Sequence, residues 1–176
     1  MKNRKPYLAS LNKKVKEIQT IIGKEPFFAF AIFAIFILAI FFRFYNYTDR
    51  LMIQSDDSRF AITAKYALDH FKLPLVGPFP QAAFFTGPFW LWTLQIFFLL
   101  PFGILTPWIA MSIASLVFIY LIFQIGTEVE DKWLGTIAAL FAAISPAAIA
   151  NSFSVWNAAT DSFFGACALY VFLKFY

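Results

Sequence analysis

The chain has 176 residues, 61% of them hydrophobic and only 14% charged, with a mean hydropathy of +0.71. A soluble domain carries about 25% charged residues, so this composition excludes an ordinary globular enzyme and points to an integral membrane protein. The net charge of +4 is not a nucleic-acid signal. Lys2, Arg4, Lys5, Lys13, Lys14, Lys16 and Lys24 supply half of the 14 basic side chains, all before Pro26.

A basic segment beside a membrane span reads as a cytoplasmic anchor at anionic headgroups. Within residues 1–25, Leu8, Leu11, Val15, Ile18 and Ile22 fall on one helical stripe, the pattern of an amphipathic helix lying in the interface. A frayed basic tail is the competing reading. From Pro26 to Phe42 the chain is uncharged, and Phe44 and Tyr45 extend the run past Arg43. The run is long enough to cross a hydrocarbon core, and no small-residue cleavage site follows it, so it is a retained first span and not a signal peptide. By the charge rule the N-terminus is cytoplasmic and the loop at 46–85 external, in a multi-pass protein of the cell membrane.

That loop contains the sequence's densest polar chemistry. Ser55-Asp56-Asp57-Ser58-Arg59 opens a segment in which Phe60, Ala64, Ala67, Leu68 and Phe71 recur at helical spacing. Ser55 suits an N-cap, and first-turn acids offset the helix dipole, which by itself explains both carboxylates. Adjacent helical residues point roughly 100° apart, so the two acids do not form a facing dyad. A Lys72-to-Pro78 turn follows. Gly87-Pro88 then reads as a helix start amid Phe84, Phe85, Phe89, Trp90 and Trp92, an interfacial aromatic belt whose open helix end could also receive a phosphate.

Further apolar runs lie near 86–105, 107–126, 134–150 and 162–176, the first broken at Pro101 and Gly103. The run at 134–150 is rich in alanine, which lets helices approach closely, and Pro146 kinks or ends it. Glu128, Glu130 and Asp131 mark a solvated connection, and Asn151 to Asp161 is a second polar segment containing Trp156-Asn157. If every run crosses once, Trp156-Asn157 falls on the cytoplasmic side, opposite Asp56. Cys167 and His70 are each the sole residue of their type, which rules out a His/Cys zinc cluster within the chain but leaves a divalent cation on carboxylates open.

The order of these features resembles the N-terminal part of the GT-C glycosyltransferases, in the group related to dolichyl-phosphate-mannose protein mannosyltransferases and the lipid A aminoarabinose transferase. The resemblance is carried by Asp56 and Arg59, Lys72-Leu73-Pro74-Leu75-Val76-Gly77-Pro78, Gly87-Pro88-Phe89-Trp90, Ser145-Pro146, and Ser152 with Trp156-Asn157. Phe153 and Ala158 depart from it, since many relatives carry Arg and Pro there. The resemblance implies an all-α polytopic bundle with an external loop helix between the first two spans. It puts Trp156-Asn157 near the active site, which makes the run broken at Pro101 and Gly103 the one expected to be tilted, re-entrant or incompletely spanning. It also implies further spans beyond Tyr176, without which the chain would be inactive alone.

The implied activity is transfer of a sugar from a polyprenyl-phosphate donor to an acceptor hydroxyl (on a glycan, lipid or protein) at the outer membrane face. Asp56 would be the general base, with Asp57, Arg59, Lys72, Gly87, Trp156 and Asn157 binding substrate. The sequence alone leaves two other classes open, a non-catalytic membrane assembly subunit and a transporter fragment.

Overall fold

The computed structural model describes residues 25–77 and 87–176. The expected interfacial helix over 7–22 and the Phe84-Phe85 part of the aromatic belt lie outside the described residues. Within them the chain is all helix: α1 Pro26–Phe44, α2 Ser55–Asp69, α3 Phe89–Phe97, α4 Thr106–Val129, α5 Lys132–Ile144, α6 Pro146–Asn151 and α7 Asp161–Phe175. Three stretches are long and apolar enough to cross a membrane: Pro26–Phe44, Gly103–Val129 and Asn157–Phe175. They support the membrane assignment made from composition.

The helix directions follow from which ends touch. Glu25, just before α1, pairs with Lys132 at the start of α5, and Glu128 near the end of α4 pairs with Lys174 near the end of α7. These contacts mark one end of the bundle. At the other end Arg43 of α1 donates to the Ala143 carbonyl near the end of α5, and Trp108 at the start of α4 donates through Nε1 to the Met52 carbonyl at 3.1 Å. α1 and α5 therefore run one way, α4 and α7 the other.

The 86–105 run does not form one spanning helix. α3 has 9 residues, about 14 Å at a rise of about 1.5 Å per residue, well short of a roughly 30 Å hydrocarbon core. After it the chain turns through Pro101 and Gly103, the latter at φ +67, a conformation a side chain would disfavour. α3 packs back on α2 instead of crossing. The bonds from Ser154 and Val155 to Asp57 place the Ser152–Asn157 segment at the same end of the bundle as α2. One-crossing-per-run counting fails here because apolar content alone cannot tell a half-length helix from a span.

Packing divides into two cores. Near the loop end, Phe60, Ala61 and Ala64 of α2 meet Trp90, Leu91 and Leu94 of α3, Trp108 and Met111 of α4, and Val155. Deeper in the bundle, Ile35 and Ala39 of α1 meet Ile119 of α4 and Ala139 and Ala143 of α5. The alanines let these helices lie close, as their spacing in the sequence suggests. α4 and α5 touch most tightly at Gly126 and Gly135, where a Cβ on Gly126 would sit 2.6 Å from the Gly135 Cα. α5 stops at Ser145, whose Oγ accepts from the Ala148 amide at 3.3 Å and so caps α6, with Pro146 in its first turn.

Two details of α2 correct the sequence reading. Its N-cap is Gln54 and not Ser55, because the Asp57 carboxylate reaches back to the Gln54 amide at 3.4 Å and fixes the turn there. Phe71 does not continue the buried stripe. It lies past the helix end at φ 50 and is almost fully exposed, while the Lys72 amide closes a bond to the Ala67 carbonyl at 2.8 Å. That six-to-one closure is a Schellman ending with phenylalanine in the position usually held by glycine.

Candidate functional site

The two first-turn acids of α2 point apart, as their adjacency requires, and meet different surroundings. Asp57 is buried, at 2% exposure. Its Oδ1 accepts from the Ser154 hydroxyl and from the Val155 amide, both at 2.7 Å. Together with the bond to the Gln54 amide, these contacts join α2 to the second polar segment, 97 and 98 residues further along the chain. Dipole compensation is thus only part of what Asp57 does; its carboxylate is a buried tie between two segments. Asp56 projects to the surface and accepts from Arg59 at 2.8 Å, both side chains being nearly half exposed.

The remainder of the tie is aromatic. Trp90 Nε1 donates to the Val155 carbonyl at 2.9 Å, and the Met52 amide donates to the Phe153 carbonyl at 3.0 Å. Phe153 is itself core, with the Arg50 guanidinium 4.5 Å from its ring centroid. Tyr47 shares a hydrogen bond with the Ser112 hydroxyl at 3.2 Å, and Ser112 donates to the Ser152 carbonyl at 2.8 Å. Burial raises the Tyr47 phenol above its ordinary value of 10.0, partly opposed by the bond to Ser112.

The other expected site residues separate into two groups. Trp156 is exposed beside the tie, its amide donating to Ser154 Oγ at 3.1 Å, and Asn157 begins the short turn Asn157–Thr160 next to it. Lys72 is held through its backbone, its carbonyl accepting from Gln95 Nε2 at 2.9 Å, while its ammonium lies 5.9 Å from the Tyr66 ring centroid. The Pro74 carbonyl likewise accepts from Trp92 Nε1 at 2.7 Å, so the turn after α2 is fastened to α3. Gly87 sits in open space, with nothing within 4 Å of a Cβ placed on it, and α3 begins at Phe89 with Pro88 as its N-cap. Among the described residues no group of three or more His, Cys, Asp or Glu side chains stands ready to hold a metal.

The sequence reading missed Arg43. It appeared only as an interruption of the first apolar run, yet it is completely buried. Nε donates to Ser115 Oγ at 2.8 Å, and the two terminal nitrogens donate to the carbonyls of Ala39, Ala143 and Ala142 at 3.4, 3.0 and 3.4 Å. The available signal was an arginine inside an apolar run, which is costly there and marks a bundle-facing position.

No protein-family model, curated protein or solved structure matches this chain.

Proposed function

We propose that the chain belongs to a GT-C-like transferase that moves a sugar from a polyprenyl-phosphate-linked donor to an acceptor hydroxyl. In this proposal the N-terminus is cytoplasmic and the α2 end faces outward at the cell membrane. The single observation supporting it is the meeting of the acid-opened helix α2 with the Ser152–Asn157 segment at one end of the bundle. Those are two of the stretches that carry the sequence resemblance, and they lie 97 and 98 residues apart along the chain.

The chemistry assigned to the site divides between the acids. Asp57 is already committed to three donors and positions α2. Asp56 remains accessible, and as general base it takes the acceptor hydroxyl's proton while the acceptor oxygen bonds to the anomeric carbon. The bond from that carbon to the phosphate oxygen breaks, and the polyprenyl phosphate leaves with the electron pair. Arg59 and Lys72 offset phosphate charge, and the exposed face of Trp156 offers a sugar-stacking surface.

The test is Asp56→Asn in the full-length protein, assayed with a polyprenyl-phosphate sugar. Transfer should fall about 10²–10⁴-fold. Stability should barely move, since an exposed pair such as Asp56–Arg59 contributes about 0–1 kcal/mol. Near-normal transfer would remove Asp56 as the base and leave Asp56–Arg59 an ordinary i,i+3 surface pair, whereas no transfer by the native full-length protein would favour the non-catalytic subunit.

A further inference from the structure

A cavity of about 350 Å³ lies between α4, α5, α6 and the start of α7. Its residues change character along α4. Asn151 and Ser162 are exposed polar lining residues, Ser115 is half-buried, and Phe118 and Ile122, also half-buried, continue the lining as apolar surface along α4. From Ser115 to Ile122 the helix rises about 10 Å. A polar end followed by an apolar stretch along α4 matches one amphiphile lying along the bundle. The volume is at the lower end of the roughly 300–1,000 Å³ typical of ligand sites, enough for part of a single chain.

The charge behind the wall selects the head. Arg43 is fully buried and every one of its partners is neutral: one hydroxyl and three carbonyls. Among the described residues no carboxylate balances it. A buried charge without a counter-charge is expensive, and within a membrane bundle it marks a functional position. Its link to the cavity is Ser115, a lining residue whose Oγ accepts from Arg43 Nε. With that lone pair occupied, the Ser115 O–H has no acceptor among the described residues and is free to donate to a ligand. Ala142, whose carbonyl holds Arg43, lines the same cavity. No acid is among the cavity's lining residues to repel an anion.

We infer that this cavity binds a single-chain anionic amphiphile, its acidic head hydrogen-bonded by Ser115 under the field of Arg43 and its chain along Phe118 and Ile122. A fatty carboxylate and a lipid phosphate monoester share this chemistry. The polyprenyl phosphate of the proposed transfer belongs to the same chemical class, but the inference does not rest on that reading: Asp56→Asn leaves the cavity untouched and binding is read without any transfer assay.

The experiment is native mass spectrometry of the purified full-length protein in non-ionic detergent, with oleate, oleoyl lysophosphatidate and the neutral lipid monoolein as separate probes. At least one anion should be retained at least tenfold better than monoolein; which anion leads tells carboxylate from phosphate. Ala148→Phe, which fills the cavity, should abolish retention, and Ser115→Ala should bring the anions and monoolein toward parity. If Ala148→Phe does not fold, Ala114→Leu takes its place under the same criterion. Equal retention of monoolein, binding that survives the filled cavity, or an unchanged anion preference in Ser115→Ala would each overturn the inference.

Discussion

Replacing Asp57 by alanine should unfasten α2 from the Ser152–Asn157 segment. The Val155 amide, on a fully buried residue, loses an acceptor at 2.7 Å, and so does the Ser154 hydroxyl. An orphaned buried donor costs about 1–3 kcal/mol. The amide cannot turn away and should pay most of that range, whereas the hydroxyl can rotate and should pay the lower part. The longer bond to the Gln54 amide, at 3.4 Å, adds a capping contribution at the low end of about 0.5–2 kcal/mol. Relief from keeping a carboxylate buried works in the opposite direction. The net loss should be about 2–4 kcal/mol, read as a lowered denaturation midpoint in detergent and as faster hydrogen exchange at the Val155 amide. Asp57→Asn retains one acceptor oxygen and should fall between alanine and the native chain. In a double-mutant cycle Asp57 and Ser154 should couple by about 1 kcal/mol or more, as groups sharing one hydrogen-bond network do. A loss below about 0.5 kcal/mol, the usual range for surface substitutions, with unchanged exchange at Val155, would refute the reading of Asp57 as a tie.

Other consequences are independent of the tie. Gly126→Ala should push α4 from α5, because its Cβ would sit 2.6 Å from backbone; a loss of about 1–3 kcal/mol in thermal unfolding is expected, and a neutral result would argue against the close approach. Single cysteines at the exposed positions Ser55 and Trp156, in a chain with Cys167 replaced, should react from the same side of the membrane, and one at Glu130 from the opposite side. Labelling of Ser55 and Trp156 from opposite sides would restore α3 as a crossing segment. Because the Tyr47 phenol is raised above 10.0 in the folded chain, its contribution to stability is complete below that pH and is lost as pH climbs through the raised value. Tyr47→Phe should therefore flatten the alkaline fall in stability, and an identical alkaline profile would contradict the buried phenol.

Composition and run length by themselves determined that the described chain is helical and suited to a membrane, because a 19-residue apolar run such as Pro26–Phe44 has few other ways to satisfy its backbone. Local chemistry also gave the helix start near Asp56, the stop at Ser145-Pro146 and the close packing of the alanines. Each of these depends on residues within a turn or two of one another. Hydropathy did not decide which apolar runs cross, since α3 is as apolar as a span and only the break at Pro101 and Gly103 singled it out. Nor did it distinguish the roles of Asp56 and Asp57, neighbours of the same type. Their difference comes from Ser154 and Val155, brought beside α2 from the far side of four helices. Arg43 is the same case. Its charge is readable in the sequence, but its neutral partners on α4 and α5 and the cavity behind Ser115 exist only once those helices pack together.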